Sequence, residues 1–353
     1  MLSSLLFLLL IFPLNHSLPF LCPQILTYDD LNCSIIKGDF RNSSNFTPPP
    51  SNPAKLNIVN MNLDRNGGSD STRMNFLEIL KKISEPDFLI SNADVLIITE
   101  LARDCRIYAE YTDGPLEIAR SLGLFYGYVV EYVENYQEGD EHQCTMGNAI
   151  FSRFPLMNIE QIRFSSQCCK YDIRWGGRIA IVADILVNDQ VLTIYSTHLE
   201  SGQDYFISVI HGFIIRWLQI NELIRHSNEK KNNSDFVMIA GDLNAPLGMF
   251  DIVNFPLFLD GFQDGHFSMR FMERATCPLG NLKHYGFFIF DYIWVKGGEF
   301  EFGNELICNE KYDEKCLGLS DHYPIGVEIY LRMKIKEEFK GEACDKTNEF
   351  LDN

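Results

Sequence analysis

Four short runs place polar or acidic residues directly after an apolar, β-rich stretch. They are Ile97-Ile98-Thr99-Glu100, Ser196-Thr197-His198-Leu199, Ile239-Ala240-Gly241-Asp242-Leu243-Asn244 and Leu319-Ser320-Asp321-His322-Tyr323-Pro324. Strand ends are where a rigid scaffold presents side chains to a shared cleft. Singly, each has a plain structural reading: an Asp caps a turn, a Glu is solvated, a His is half-buried and hydrogen-bonded. As a set they join hard oxygen donors to two imidazoles that change charge near neutral pH. Glu100 suits Mg2+, which takes one or two carboxylates together with water and phosphate oxygens. Asp242 and Asn244, two apart on an extended segment, would point to one side and approach the same phosphate or water. His322 becomes a general base if a carboxylate fixes its tautomer. Asp291 is acidic inside the apolar run Phe290-Asp291-Tyr292-Ile293-Trp294; a buried aspartate needs a partner, and a histidine is a natural one.

The elements that must position these groups follow from apolar patterning. Asn57–Leu63, Val95–Thr99, Gly147–Phe151, Ile179–Leu186, Val191–Thr197, Phe236–Ala240, Phe287–Val295 and Ile325–Leu331 read as strands. Arg73–Ile83, Leu116–Leu122 and Phe206–His226 read as helices, the first with Met74, Leu77, Leu80 and Lys81 on helical spacing and Pro86 after its end. This alternation predicts a layered α/β domain over residues 54–333 with no internal repeat. It is preceded by an N-terminal cysteine-containing segment and a Pro-rich linker within residues 18–53, and followed by a charged tail over 334–353.

Composition narrows the partners. The chain has 353 residues, 46% of them hydrophobic, and a formal net charge of −18. That excludes a disordered or collagen-like chain and opposes a tight, charge-driven grip on long nucleic acid. It does not exclude a nuclease, since a small basic cleft or a metal can offset the charge locally. Residues 1–17, apolar from Leu2 to Leu14 but without a Lys or Arg, read as a signal peptide cut near Ser17, being too short for a membrane span. No later run reads as a stable membrane span. Sequons at Asn32, Asn42, Asn45 and Asn232 and an even set of ten cysteines agree with a secreted or endomembrane-lumen glycoprotein with disulfides. Absence of Cys/His finger spacing argues against structural zinc.

In chain order, the first strand ending in Asn62-Leu63, then IITE, GNAIFSRFPL from Gly147, STHLES, GDLN, FDYIW and SDHYPI resemble the motifs of the endonuclease/exonuclease/phosphatase superfamily. That superfamily includes deoxyribonuclease I, abasic-site endonucleases, neutral sphingomyelinases and inositol polyphosphate 5-phosphatases. The resemblance runs from about Lys55 to Leu331 and implies a deoxyribonuclease I-like fold: a four-layer sandwich of two packed β-sheets flanked by helices. It implies that Asn62 and Glu100 hold a divalent metal, Mg2+ or Mn2+, with Asp321 in or behind its shell. His198 would contact the scissile phosphate, Asp242 and Asn244 would orient the nucleophile or stabilise the transition state, and Asp291 would pair with His322. Either Asp242 or His322 would be the general base. Asn60 shares a strand face with Asn62 and is the alternative ligand; the resemblance favours Asn62. Arg153 and Arg178, at strand ends, are candidate phosphate clamps. Leu101–Glu134 looks more like bacterial members than like deoxyribonuclease I.

The implied activity is a metal-dependent phosphoester hydrolase, a nuclease-like phosphodiesterase first, acting by in-line water attack on a nucleic acid or a phospholipid head group. A sphingomyelinase-like lipid phosphodiesterase and a catalytically inactive binding protein on the same fold are the alternatives. A nuclease calls for a basic or stacking surface, with Arg163, Lys170, Arg174, Trp175 and Arg178 as candidates. A lipid enzyme calls for an exposed aromatic hairpin; Phe250, Phe255, Phe258 and Phe262 could supply one, although their spacing fits a buried core better. A phosphoinositide phosphatase fits poorly with secretion.

Overall fold

The computed structural model describes residues 35–40, 55–64, 75–103, 113–134, 144–166, 175–201, 206–230, 233–246, 251–269, 276, 288–307 and 319–332. The expected signal peptide, linker, tail and the acceptor asparagines of all four sequons lie outside them, as do Lys170, Arg174 and Phe250.

Two sheets make the frame. The first runs β1 (Ile36–Gly38), β4 (Phe125–Glu134), β5 (Cys144–Ser152), β3 (Val95–Arg103), β2 (Leu56–Asn62), β14 (Ile325–Leu331), β13 (Phe300–Ile307), with the short β7 (Trp175–Gly176) on β4. The second runs β11 (Gln263–Asp264), β12 (Asp291–Gly297), β10 (Phe236–Asp242), β9 (Gln190–His198), β8 (Ile179–Val187), β6 (Met157–Arg163). Alternate residues of both meet in one apolar layer that includes Ile58, Ile97, Val129, Ile181, Ile194, Met238 and Ile293. Outside the first sheet lie α1 (Phe76–Ile83) and α2 (Gly114–Leu122), packed on Val59, Leu96 and Tyr128. Outside the second lie α3 (Phe206–Glu229) and α4 (Asn254–Leu259), packed on Tyr195, Ile239 and Trp294. This is the expected four-layer sandwich. Central strands such as β3 and β10 are apolar on both faces because both are covered.

Some expectations shift. In α1 the buried stripe is Phe76, Ile79 and Ile83, while Leu77 is 70% exposed and Met74 lies outside the described residues. An Asn75–Glu78 capping box starts the helix at Phe76, later than Arg73. Strand β12 runs from Asp291, while Phe287, the expected start, lies outside the described residues. Phe262 is buried, but Phe255 and Phe258 stand 54% and 63% exposed on α4, beside Leu259. Among the described residues, no helix is long and apolar enough to cross a membrane.

Candidate active site

Register alone assembles half the site. Parallel pairing of β9 with β10 sets His198 opposite Asp242, and antiparallel pairing of β10 with β12 sets Asp242 opposite Asp291. The three side chains form one row across three strands on the inner face, at the end where the apolar layer gives way to polar groups. Gly241 permits the close approach: its φ is +138°, and a Cβ there would stand 1.9 Å from the Thr197 carbonyl oxygen.

From the facing sheet come Asn62, at the end of β2, and Glu100. Strict alternation along β3 would send Glu100 outward with Leu96 and Ile98. A bulge intervenes, because Ile98 pairs with Ala149 and Leu101 with Gly147, so Thr99 and Glu100 share Asn148 as partner. Glu100 takes a left-handed φ of 51° there, a strain that re-aims its carboxylate into the mouth. Its Oε1 lies 3.4 Å from Asn62 Nδ2 and 3.7 Å from His198 Nδ1.

Asp242 is the hub. Its Oδ1 accepts from the Asn244 amide at 2.8 Å, and its Oδ2 accepts from Asn62 Nδ2 at 3.0 Å. That Oδ2 also lies 3.6 Å from His198 Nε2 and 3.9 Å from His322 Nε2. Burial, reinforced by the like charge of Asp291 and opposed by His322 and by the bonds from Asn244 and Asn62, pushes the carboxyl up to about 7. His322 Nδ1 stands 2.7 Å from Asp291 Oδ2, and both side chains are nearly fully buried. Ser320 donates to the Asn62 carbonyl at 2.7 Å and accepts from the His322 amide at 3.2 Å, tying this loop to β2. Asp321 rides on the same loop, its Oδ1 3.3 Å from Ser320 Oγ.

Asn244 behaves differently from a residue on an extended segment. The chain turns after Asp242 with Asn244 at φ 49°, and its side-chain amide donates to the Leu199 carbonyl at 3.0 Å. Asn244 therefore ties the two strand-end loops together. Arg153 is not brought to the cluster: it bonds the Ala93 and Ser91 carbonyls at 3.1 Å each, near Asp94, at the opposite end of β3 from Glu100. Arg178 does reach the cluster, from within. It is buried, donates to Glu131 Oε1 and lies 2.7 Å from His198 Nδ1.

Sequence reasoning missed Glu131, Arg216 and Gln219. Glu131 is fully buried in β4 at a shift of register between Val130 and Tyr132. From α3, Arg216 Nη1 donates to the Glu200 carbonyl at 2.8 Å, while Gln219 Oε1 accepts from the Glu200 amide at 3.1 Å and its Nε2 donates to the Ser166 carbonyl at 2.9 Å. Arg216 and Gln219, three apart and so on one face of α3 beside the apolar Ile220 and Leu223, are the signal that could have found this latch.

The donor set fits a hard divalent cation. Asn62 Nδ2, a partial positive charge, stands between the Glu100 and Asp242 carboxylates; half a turn of the amide puts an oxygen there instead, completing an all-oxygen set of the kind Mg2+ and Mn2+ take. Donor atoms of Asp242, Asp291 and His322 also lie within 4.8 Å of one another.

A sequence model of the Endonuclease/Exonuclease/phosphatase family matches residues 59–322, which span every residue of this cluster. The chain belongs to this family. Endonuclease/exonuclease/phosphatase proteins are hydrolases acting on phosphoesters, and solved structures share the fold. One from Beutenbergia cavernae, described as an endonuclease/exonuclease/phosphatase, is 14% identical over 79% of this chain and 72% of that chain, with a TM-score of 0.60. TDP2 from Caenorhabditis elegans is 18% identical over 78% of this chain and 75% of that chain, TM-score 0.52. SmcL is 18% identical over 79% of this chain and 99% of that chain, TM-score 0.52. No curated protein matches the chain.

Proposed function

We propose that the protein is a secreted phosphodiesterase of nuclease-like type that requires Mg2+ or Mn2+ and works by in-line attack of water on phosphorus. The observation that carries this reading is the buried His322–Asp291 pair, 2.7 Å apart, facing Asp242 across the mouth from Asn62 and Glu100. Asp291 accepts from His322 Nδ1 and so keeps the Nε2 lone pair for a water proton. Nε2 and Asp242 Oδ2 are 3.9 Å apart, so a water bonded to one is within reach of the other. That water's oxygen bonds to phosphorus as the ester oxygen departs on the far side, and its proton passes to this pair. His198, from the other side of Asp242, meets the phosphoryl oxygens. A divalent cation, held by Asn62 and Glu100 with Asp321 near, would neutralise the charge that develops on those oxygens. Secretion rests on the apolar run Leu2–Leu14, the sequons and the even cysteine count.

The test is one substrate panel of plasmid DNA, RNA, sphingomyelin vesicles, a soluble aryl phosphodiester and phosphomonoesters, each with Mg2+, Mn2+ or EDTA. Cleavage of a phosphodiester that EDTA abolishes is the expected result; no cleavage of any substrate with either metal overturns the reading.

A lipid phosphodiester is the second reading, favoured by the exposed Phe255, Phe258, Leu259 and Phe267, the last 60% exposed. Of these, Phe255, Phe258 and Leu259 share one face of α4, and Phe267 stands in the turn after β11; exposed apolar side chains grouped on a helix face suit an interface with another surface. If lipid is the substrate, Phe255→Ser with Phe258→Ser lowers hydrolysis of sphingomyelin in vesicles at least tenfold and spares the soluble diester.

A further inference from the structure

We propose that Glu131 and Arg178 form a buried positioning pair that fixes the ring tautomer of His198, so that His198 presents an Nε2–H donor to the substrate phosphoryl group. This deepens the phosphodiesterase reading and rests on it for what the donor is used for; the tautomer itself does not.

A guanidinium has only N–H donors. Arg178 Nη1 carries two: it donates to Glu131 Oε1 and lies 2.7 Å from His198 Nδ1. At that distance Nδ1 must accept, which puts the ring proton on Nε2. That nitrogen is 3.6 Å from Asp242 Oδ2, the oxygen that also accepts from Asn62 Nδ2. The opposite tautomer would aim an N–H at the guanidinium and a filled lone pair at a phosphoryl oxygen, which accepts and cannot donate.

Glu131 explains why Arg178 stays put. Both side chains are almost fully buried, at 0% and 6% exposure. A buried cation without a counter-charge is costly to retain, and Glu131 supplies the nearest one. It does so from β4, in the opposite sheet to β8, which Arg178 directly precedes, so the pair also spans the layer between the sheets. The Arg178 guanidinium is thus turned inward onto His198 and is not a clamp reaching into solvent.

The test uses the full-length secreted protein. Two-bond 1H–15N correlation spectra of the histidine rings separate the two tautomers, and comparison with His198→Gln assigns the signal. Removing one partner alone could unfold the chain by stranding a buried charge, so the main variant is Glu131→Leu with Arg178→Met, which removes both charges together. Glu131→Asp, which keeps a counter-charge for Arg178, is the conservative control. The expected result is an Nε2–H ring in the parent and in Glu131→Asp, and a mixed or Nδ1–H ring in the double variant. With it, kcat falls about 10- to 100-fold in the double variant, KM changes little, and Glu131→Asp retains most of the rate. An Nδ1–H ring in the parent, or a folded double variant with parental tautomer and kcat, overturns the proposal. A parent inactive on every phosphoester would instead overturn the phosphodiesterase reading, leaving the spectra to decide the tautomer lock.

Discussion

Asp242 concentrates the electrostatics of the site on one carboxyl. Its folded-state value, raised to about 7 from 3.8 by burial and then by Asp291, means that the folded chain holds this proton more tightly than the unfolded chain. The associated stability is present at low pH and is lost as pH rises from about 4 through about 7. In the metal-free protein, the Tm of the parent therefore falls relative to Asp242→Asn as pH is raised from 5 to 8, measured by differential scanning fluorimetry. Mg2+ or Mn2+ raises the parent Tm more at pH 8 than at pH 5.5, because the cation replaces the proton as counter-charge. His322→Ala removes one of the two proposed proton acceptors, together with the imidazole that opposes the upward shift at Asp242, and lowers kcat about 10²–10⁴-fold on the best substrate of the panel, with the far-ultraviolet circular dichroism unchanged. Most of this chemistry is legible in the sequence, because the GDLN and SDHYPI runs announce polar residues at strand ends. Glu131 is not legible: its partner Arg178 is 47 positions away, and an acidic residue among Tyr and Val reads as an exposed strand position until the fold covers it. Arg178 was legible as a phosphate ligand only because nothing in the sequence shows which way a strand-end arginine turns.

Elements deliver these side chains by register and by local departures from it. The row His198, Asp242, Asp291 depends on β9 and β10 lying close enough that only glycine fits at 241. Gly241→Ala forces a contact with backbone at a φ an L residue rarely adopts and costs on the order of 3 kcal/mol, read as a lowered urea midpoint with activity lost in proportion or more. The α3 latch is gentler. Gln219→Leu strands the Glu200 amide and the Ser166 carbonyl, costs about 1–3 kcal/mol, and lowers kcat by loosening the loop that follows His198. Fully covered strands were readable from continuous apolar runs. Edge strands β6 and β13, with sequences MNIEQIR and FEFGNELI, were not, because one partner leaves half their surface to water and dilutes the pattern. β4, FYGYVVEYVE, escaped for the opposite reason, since its buried glutamate breaks the alternation that would have marked it. In α1 two interleaved series had helical spacing, and the cap at Asn75, not hydrophobicity, sets where the helix begins.

For the whole molecule the net charge of −18 opposes a long polyanion, while the proposed metal site would attract a single phosphate. The two effects separate with salt. Lowering ionic strength should raise KM for plasmid DNA and leave KM for a soluble diester nearly unchanged, the reverse of a basic nuclease.

The layer between the sheets grades from Leu56, Ile58, Phe236 and Met238 at one end to Asn60, Asn62, Asp242 and Asp291 at the other. Along each shared strand, cohesion is therefore uneven: apolar contact holds one end, and like charges press apart the other. Backbone amides report this directly. In β10 the amides near Phe236 and Met238 should exchange with solvent deuterium at the rate of global unfolding, and those at Gly241 and Asp242 faster. A divalent cation that closes the charged end should erase that difference within one strand, turning a sandwich that opens like a hinged book into one bound along both edges.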